Sequence, residues 1–247
     1  MHQETNLGAM NRPQFGQPDA LIFDMDGVLV DSEPLHRRAK REALSKAGIL
    51  VPESLFADYI GRSDKAMIYE VAAAHGLSVQ HSDEILDSKR RIYESLEHTL
   101  RPVPGAIEFV HWASSRYRLA LATSATSRNR QATLQLLRIE SMFEVAVDSA
   151  SFSHSKPSPE VFQVALDRLR LAPTACLVIE DAASGIVAAR AAGCFSAGLT
   201  TSFSGATLRA SGADIVVGSF PELKTLLLTT RTPERPIGQN AKGTTCK

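Results

Sequence analysis

Residues 20–27, ALIFDMDG, join an almost wholly apolar run to an acidic turn. A strand with one wet face alternates apolar and polar residues. Ala20-Leu21-Ile22-Phe23 does not alternate, so it reads as a strand covered on both faces, as in a parallel sheet flanked by helices. Asp24 and Asp26 follow two positions apart, where their side chains can share an orientation, and Gly27 permits a tight departure into a loop. Charge at the C-terminal edge of a parallel sheet is a common way to build an α/β active site, so the pair is a candidate acidic centre.

The same pattern repeats downstream. Strands are expected at 117–123 (YRLALAT), 145–148, 175–180 (ACLVIE), 194–199 and 214–217, with helices at 106–114, 128–137, 159–169, 184–192 and 221–228. Alternation of this kind predicts βαβ units, hence an α/β fold with a Rossmann-like parallel sheet and flanking helices. Pro159 suits a first helical turn, which needs no backbone donor, and Gly193 suits a helix stop. Residues 33–101 break the rhythm: they carry helical stretches at 33–47, 65–75 and 82–96 and no buried strand. Leu35, Ala39, Ala43 and Ala47 form a narrow apolar stripe on the first of these. The expected organisation is a discontinuous α/β core (17–32 and 102–228), an inserted helical cap (33–101) returning through Arg101-Pro102-Val103-Pro104-Gly105, and a flexible polar tail (229–247).

Composition narrows the partners. The 247 residues carry 27 basic and 27 acidic side chains, which argues against a strongly cationic nucleic-acid binder and against a polyacidic disordered chain. Cys176, Cys194 and Cys246 are too scattered for a disulfide framework or a structural zinc site and fit a reducing cytosol. No apolar run reaches the roughly 18 residues of a membrane span, and residues 1–16 lack the pattern of a signal peptide. The expectation is a cytoplasmic protein with a soluble small-molecule partner, no nucleic acid and no membrane; a monomer is compatible, and the sequence leaves the oligomeric state open.

Other strand ends carry chemistry of their own. Glu180-Asp181 close ACLVIE and would bring hard oxygen ligands for magnesium toward Asp24 if both strands are central; the alternative is that they cap the next helix. Thr123 and Ser124 close YRLALAT, and Lys156 precedes a helix in Ser155-Lys156-Pro157. A hydroxyl with nearby backbone donors can hold phosphate oxygens, and a lysine can offset charge developed in phosphoryl transfer. Taken singly, Thr123 reads as a turn residue and Lys156 as a solvated lysine; together the four strand ends suit a phosphate-handling site.

In order, FDMDGVLVDSE (23–33), ATS (122–124), SKPSPEVF (155–162) and EDAASGIVAARAAG (180–193) resemble the four motifs of the haloacid dehalogenase-like hydrolase superfamily, and most closely its phosphatase and beta-phosphoglucomutase-like group with a helical cap. The resemblance implies that Asp24 is the nucleophile, forming an aspartyl phosphate, and that Asp26 is the general acid and then the base. It implies Mg2+ held by Asp24, the Asp26 backbone carbonyl, Asp181 and Glu180, with Thr123, Ser124 and Lys156 at phosphate oxygens and Gly27 supporting the turn. Asp26 marks the phosphoryl-transfer branch, because a dehalogenase needs no acid for an alkoxide leaving group. The implied activity is a Mg2+-dependent phosphatase acting on a small phosphorylated metabolite; a beta-phosphoglucomutase-like mutase is the alternative, and a noncatalytic binding protein the third reading. His36 corresponds to a histidine that couples cap and acid/base aspartate in mutases of the group, or is a helix-surface histidine. Gly61 and Arg62 resemble its substrate-facing cap loop, with Asp64 read as a helix cap. Lys89, Arg90 and Arg91, among Glu84, Asp87, Glu94 and Glu97, read as a solvated, charge-balanced helix face.

Overall fold

Both edges of strand β1 (Ala20–Phe23) are occupied: Phe23 stands in register with Leu121 of β4 (Arg118–Ala122) and with Ile179 of β6 (Cys176–Glu180). The computed structural model describes residues 16–59 and 63–229, and the expected tail lies outside them apart from Thr229. Six parallel strands form the main sheet in the order β5-β4-β1-β6-β7-β8, with β5 at Val145–Val147, β7 at Phe195–Leu199 and β8 at Ile215–Val217.

Burial on two faces explains the unbroken apolar run in β1. Leu21 and Phe23 point into one cluster with Phe109, Val110 and Leu223, from helices α4 (Ala106–Ser114) and α9 (Phe220–Thr229). Ala20 and Ile22 point into the opposite cluster with Phe162, Ala165 and Ala188, from α6 (Glu160–Leu169) and α7 (Ala183–Ala191). The remaining core helices are α5 (Ser127–Leu137) and α8 (Gly205–Ala210), the latter too short to stand out in the sequence. Pro159 is the N-cap of α6 rather than a first-turn residue; its position still leaves no intrahelical donor missing. Gly193 has φ +82°, the left-handed geometry expected of a helix stop.

The cap is attached through a ribbon absent from the sequence reading, in which β2 (Val30–Asp31) pairs antiparallel with β3 (Arg101–Pro102). Between these strands α1 (Glu33–Lys46), α2 (Asp64–Ala74) and α3 (Val79–Leu96) pack on one another, with a 3₁₀ turn at Glu53–Tyr59. Ala39, Ala43, Leu44, Met67, Ile68, Ile85 and Ile92 form their own core. The stripe on α1 ends differently from its sequence reading: Leu44 is buried and Ala47 is exposed. A four-residue spacing advances about 40° per step on a helix of 3.6 residues per turn, so by the third step Ala47 has rotated out. Ser78 caps α3 by accepting from the His81 N–H, so the helix starts three residues before its predicted position. Among the described residues, no helix is long and apolar enough to cross a membrane.

Phe23 is fully buried and meets Phe109 and Phe143 edge-on, with ring centroids 6.0 and 5.8 Å away. Phe23→Ala is expected to lower unfolding free energy by about 3–5 kcal/mol, read from the shift in urea midpoint at unchanged slope. A loss under about 1 kcal/mol would mean that this aromatic cluster is not the packing centre of the sheet.

Candidate active site

The sheet order fixes where function-bearing side chains collect. From β1 the chain builds outward to β4 and β5, then returns to β6 on the other side of β1, creating a switch in direction at the sheet centre. Just beyond β1 the Asp24 N–H donates to Ile179 O at 3.0 Å, which sets Asp24 beside the end of β6. Glu180 ends that strand and Asp181 follows it. Lys156 enters from the loop between β5 and α6. Its Nζ donates to Asp24 Oδ1 and Glu180 Oε1, both at 2.7 Å, and to Ala122 O at 3.2 Å. Three acceptors match the three donors of an ammonium, and Lys156 is buried rather than solvated. Glu160 braces this loop by accepting from the Ser153 and His154 N–H groups, each at 2.8 Å.

Asp24, Glu180 and Asp181 offer carboxylate oxygens that all lie within 4.8 Å of one another, and all three residues are buried. Glu180 Oε2 accepts from the Asp181 and Ala182 N–H groups at 2.9 Å, so the start of α7 holds this carboxylate in place. Two glycines leave the necessary space. A Cβ on Gly185 would overlap the Glu180 carboxylate, and one on Gly27, where φ is +76°, would overlap Asp181 Oδ2. The Thr201 hydroxyl donates to Gly27 O, and Ser202 hydrogen-bonds Asp181; neither residue stood out in the sequence.

This crowding shifts the acids upward. Burial, reinforced by Glu180 and Asp26 and opposed by Lys156, pushes the Asp24 carboxyl up to about 7. Burial with the nearby Glu180 and Asp24 raises Asp181 well above the usual carboxylate range. For Lys156, burial works against the charge, but Asp24 and Glu180 outweigh it and hold the ammonium firmly protonated. Three converging carboxylates compensated by one ammonium form an all-oxygen donor set that fits a hard divalent cation such as Mg2+.

Asp26 points elsewhere. Its Oδ1 accepts no hydrogen bond, and His36 Nε2 on the first turn of α1 lies 3.9 Å away. His36 Nδ1 lies 2.8 Å from Lys89 Nζ; an ammonium can only donate, so the geometry assigns the imidazole proton to Nε2, facing Asp26. The ring stacks on Tyr93 at 4.3 Å. Lys89 Nζ also donates to Asp64 Oδ2 at 2.5 Å, and Lys40 Nζ is 3.6 Å from Asp64 Oδ1. Burial alone would raise the Asp26 carboxyl, but His36, Ser32 and Lys89 outweigh it and hold it below the usual range.

Lys89 therefore corrects the sequence reading of a solvated face. Only 5% of its side chain is exposed, whereas Arg90 next to it is open and pairs with Asp87 at 2.9 Å. The available signal was periodicity: Ile85, Leu86, Ile92 and Tyr93 lie three and four residues either side of Lys89 on the buried face of α3. Asp64 does more than begin a helix; Ser63 caps α2 by accepting from the Ala66 N–H at 3.2 Å. Thr123 is buried and its Oγ1 accepts from the Ala125 N–H at 3.0 Å, while Ser124 is exposed. Gly61 and Arg62 lie outside the described residues.

The chain as a whole is similar to known proteins. A family model described as haloacid dehalogenase-like hydrolase matches residues 21–199. The chain is 34% identical over 178 residues to a phosphorylated carbohydrates phosphatase of Thermotoga maritima, covering 71% of this chain and 82% of the relative. It is 29% identical to a Bacillus subtilis beta-phosphoglucomutase, covering 85% and 93%. The structure of a hydrolase from Pseudomonas syringae superposes with a TM-score of 0.73 at 25% identity, covering 85% and 98%.

An acid whose pKa is raised on folding contributes stability below its unfolded value and loses it as pH climbs through the folded one. In chelator, Asp24 is thus destabilising once pH rises from the ordinary carboxylate value, 3.8, through about 7. The thermal midpoint of Asp24→Asn is expected to gain on that of wild type between about pH 5 and pH 8, and Mg2+ to stabilise wild type more at the higher pH. Parallel midpoints for the two proteins across that window would contradict the charge crowding described.

Proposed function

The chain belongs to the haloacid dehalogenase-like hydrolase family, and from that footing we propose that it is a Mg2+-dependent phosphatase that hydrolyses a small phosphorylated metabolite, a sugar phosphate or similar phosphomonoester, through an aspartyl phosphate on Asp24. The observation that carries this reading is the buried Asp24 carboxylate, tied to Lys156 at 2.7 Å and grouped with Glu180 and Asp181 within 4.8 Å. Such a cluster supports delivery of one carboxylate oxygen to phosphorus while the surrounding charge is neutralised.

In the first step Asp24 forms a bond to phosphorus and the bond from phosphorus to the ester oxygen breaks. Asp26 gives a proton to the departing oxygen; a dianionic ester arriving nearby favours the protonated carboxyl by like-charge repulsion. In the second step Asp26 takes a proton from water as the water oxygen bonds to phosphorus, releasing inorganic phosphate and the Asp24 carboxylate. Lys156 keeps Asp24 oriented, and Thr123, Ser124 and the turn at Gly27 hold the phosphoryl oxygens. Asp24, the Asp26 backbone carbonyl, Asp181 and Glu180 would hold Mg2+, which when bound offsets the repulsion between carboxylates and phosphate. In this reading the cap closes over the site, with His36 toward the leaving group. A cytoplasmic setting without nucleic-acid partners accompanies this reading, supported by free, buried Cys176 and Cys194.

A second reading, a sugar-phosphate mutase, is favoured by the contact from Asp26 through His36 to Lys89 in the cap and by the likeness to the B. subtilis mutase. A panel of phosphorylated metabolites with Mg2+, scored separately for free phosphate and for phosphorylated isomer, distinguishes the two. Phosphate release is expected, and Asp24→Asn is expected to abolish both turnover and labelling of the protein by phosphate. Isomer without free phosphate would establish the mutase; neither product, in a folded protein that binds Mg2+, would leave a binding role. Wild-type turnover in Asp24→Asn would remove the nucleophile assignment.

A further inference from the structure

The first turn of α5 follows directly on the turn that carries Thr123 and Ser124, and it leans on a carboxylate that the reaction does not use. Asp148 stands one residue beyond β5, with 9% of its side chain exposed. Its Oδ2 accepts from Arg130 Nε at 2.9 Å and its Oδ1 from the Ala150 N–H at 3.1 Å, and the Ser127 hydroxyl donates to the same carboxylate. Ser127 and Arg130 are three residues apart and so share a face of α5, the face turned to the end of β5. Burial would raise the Asp148 carboxyl, but Arg130, Ser127 and the Ala150 N–H outweigh it and hold it below the usual range.

Backbone contacts extend this tie toward the site. The Thr123 N–H donates to Val147 O at 3.1 Å, and the Ser149 N–H to Ala125 O at 3.0 Å. Residues 124–126 therefore run between a fixed Thr123 and a helix face clamped on Asp148. The side chains in this stretch, Ser124, Ala125 and Thr126, are small and offer little apolar area, so hydrogen bonds set its position. Thr123 Oγ1 and Thr126 Oγ1 use theirs inside the segment, accepting from the Ala125 and Asn129 N–H groups. Asp148 supplies the outward restraint.

Donors stabilise a phosphoryl group only when they are aimed before it arrives, and a displacement of about 1 Å forfeits most of the benefit. The carboxylate cluster is held differently. It hangs from the ends of β1 and β6, and β5 lies two strands from β1. Lys156, at the far end of the loop that Asp148 begins, is braced separately by Glu160. Loss of Asp148 therefore loosens the turn after β4 and leaves the metal-fitting carboxylates in place.

We propose that Asp148 is a positioning residue for phosphoryl binding: with Arg130 and Ser127 it fixes the Thr123–Ser124 turn against the end of β5, so that the turn meets the phosphoryl group already aimed. This rests on the phosphatase reading for the placement of the phosphoryl group and adds to it a residue that touches neither substrate nor metal.

Calorimetry on the full-length protein, titrated first with Mg2+ and then with inorganic phosphate in saturating Mg2+, separates positioning from general support of the fold. In Asp148→Asn the amide nitrogen meets donors, and in Arg130→Gln the carboxylate loses its cation. Each substitution is expected to weaken phosphate about tenfold or more while changing Mg2+ affinity less than about twofold. The double variant is expected to lose no more than the larger single loss, because both side chains act through one contact. Thermal melts establish that each variant is folded, and Arg130→Gln alone carries the test if Asp148→Asn does not fold. Wild-type phosphate affinity in folded Asp148→Asn or Arg130→Gln, or equal weakening of Mg2+ and phosphate, would overturn the inference. Turnover of phosphorylated metabolites by wild type is measured in parallel. Phosphate binding that depends on Asp148 in a protein that hydrolyses no ester would sink the phosphatase reading and leave the role of Asp148 standing; hydrolysis with phosphate affinity indifferent to both substitutions would do the reverse.

Discussion

Like charges forced together at the edge of a sheet are the constraint around which this molecule is arranged. Asp24, Glu180 and Asp181 converge in a buried space, and the Lys156 ammonium is placed among them. An arrangement of this kind is unfavourable unless geometry is rigid and a further positive charge arrives. Rigidity comes from the surrounding backbone: β1 and β6 are adjacent and in register, the start of α7 donates two N–H groups to Glu180, and Gly27 and Gly185 leave room where any side chain would collide. The same crowding makes the cluster receptive to a cation.

A second charge cluster in the cap is arranged in the opposite sense. There two buried lysines surround one carboxylate, Asp64, and the His36 ring lies between Lys89 and Asp26. The two clusters hold the two motif aspartates in different electrostatic states. Asp24 is pushed up by burial and its acidic neighbours, whereas Asp26 is held down against burial by His36, Ser32 and Lys89.

Much of this was legible in the sequence because the core strands are buried on both faces. An apolar run ending abruptly in charge is visible without a structure, which is why Asp24, Thr123 and Glu180-Asp181 could be placed at strand ends and a parallel α/β sheet expected. Lys156 needed its motif context, since a lysine before a proline carries no local sign of burial. Lys89 was misread because Arg90 and Arg91 beside it are charged, and composition masks what helical spacing reveals: Lys89 projects from the apolar side of α3. Asp64 was read through its place at a helix start, a local role that Ser63 in fact fills. The β2–β3 ribbon and α8 were too short to leave a pattern.

The ribbon bears on how the chain reaches its fold. β1 must pair with β4, and Phe23 and Leu121 are separated by nearly a hundred residues, a costly loop to close in one step. The cap helices share a core of their own, and its closure brings Asp31 beside Arg101. With that pair joined, the chain path from Phe23 to Leu121 shortens to about thirty residues, because the cap is bypassed at its base. The insertion that divides the catalytic core in sequence thereby acts as a short circuit in its assembly, lowering the entropy lost when the two halves of the sheet meet.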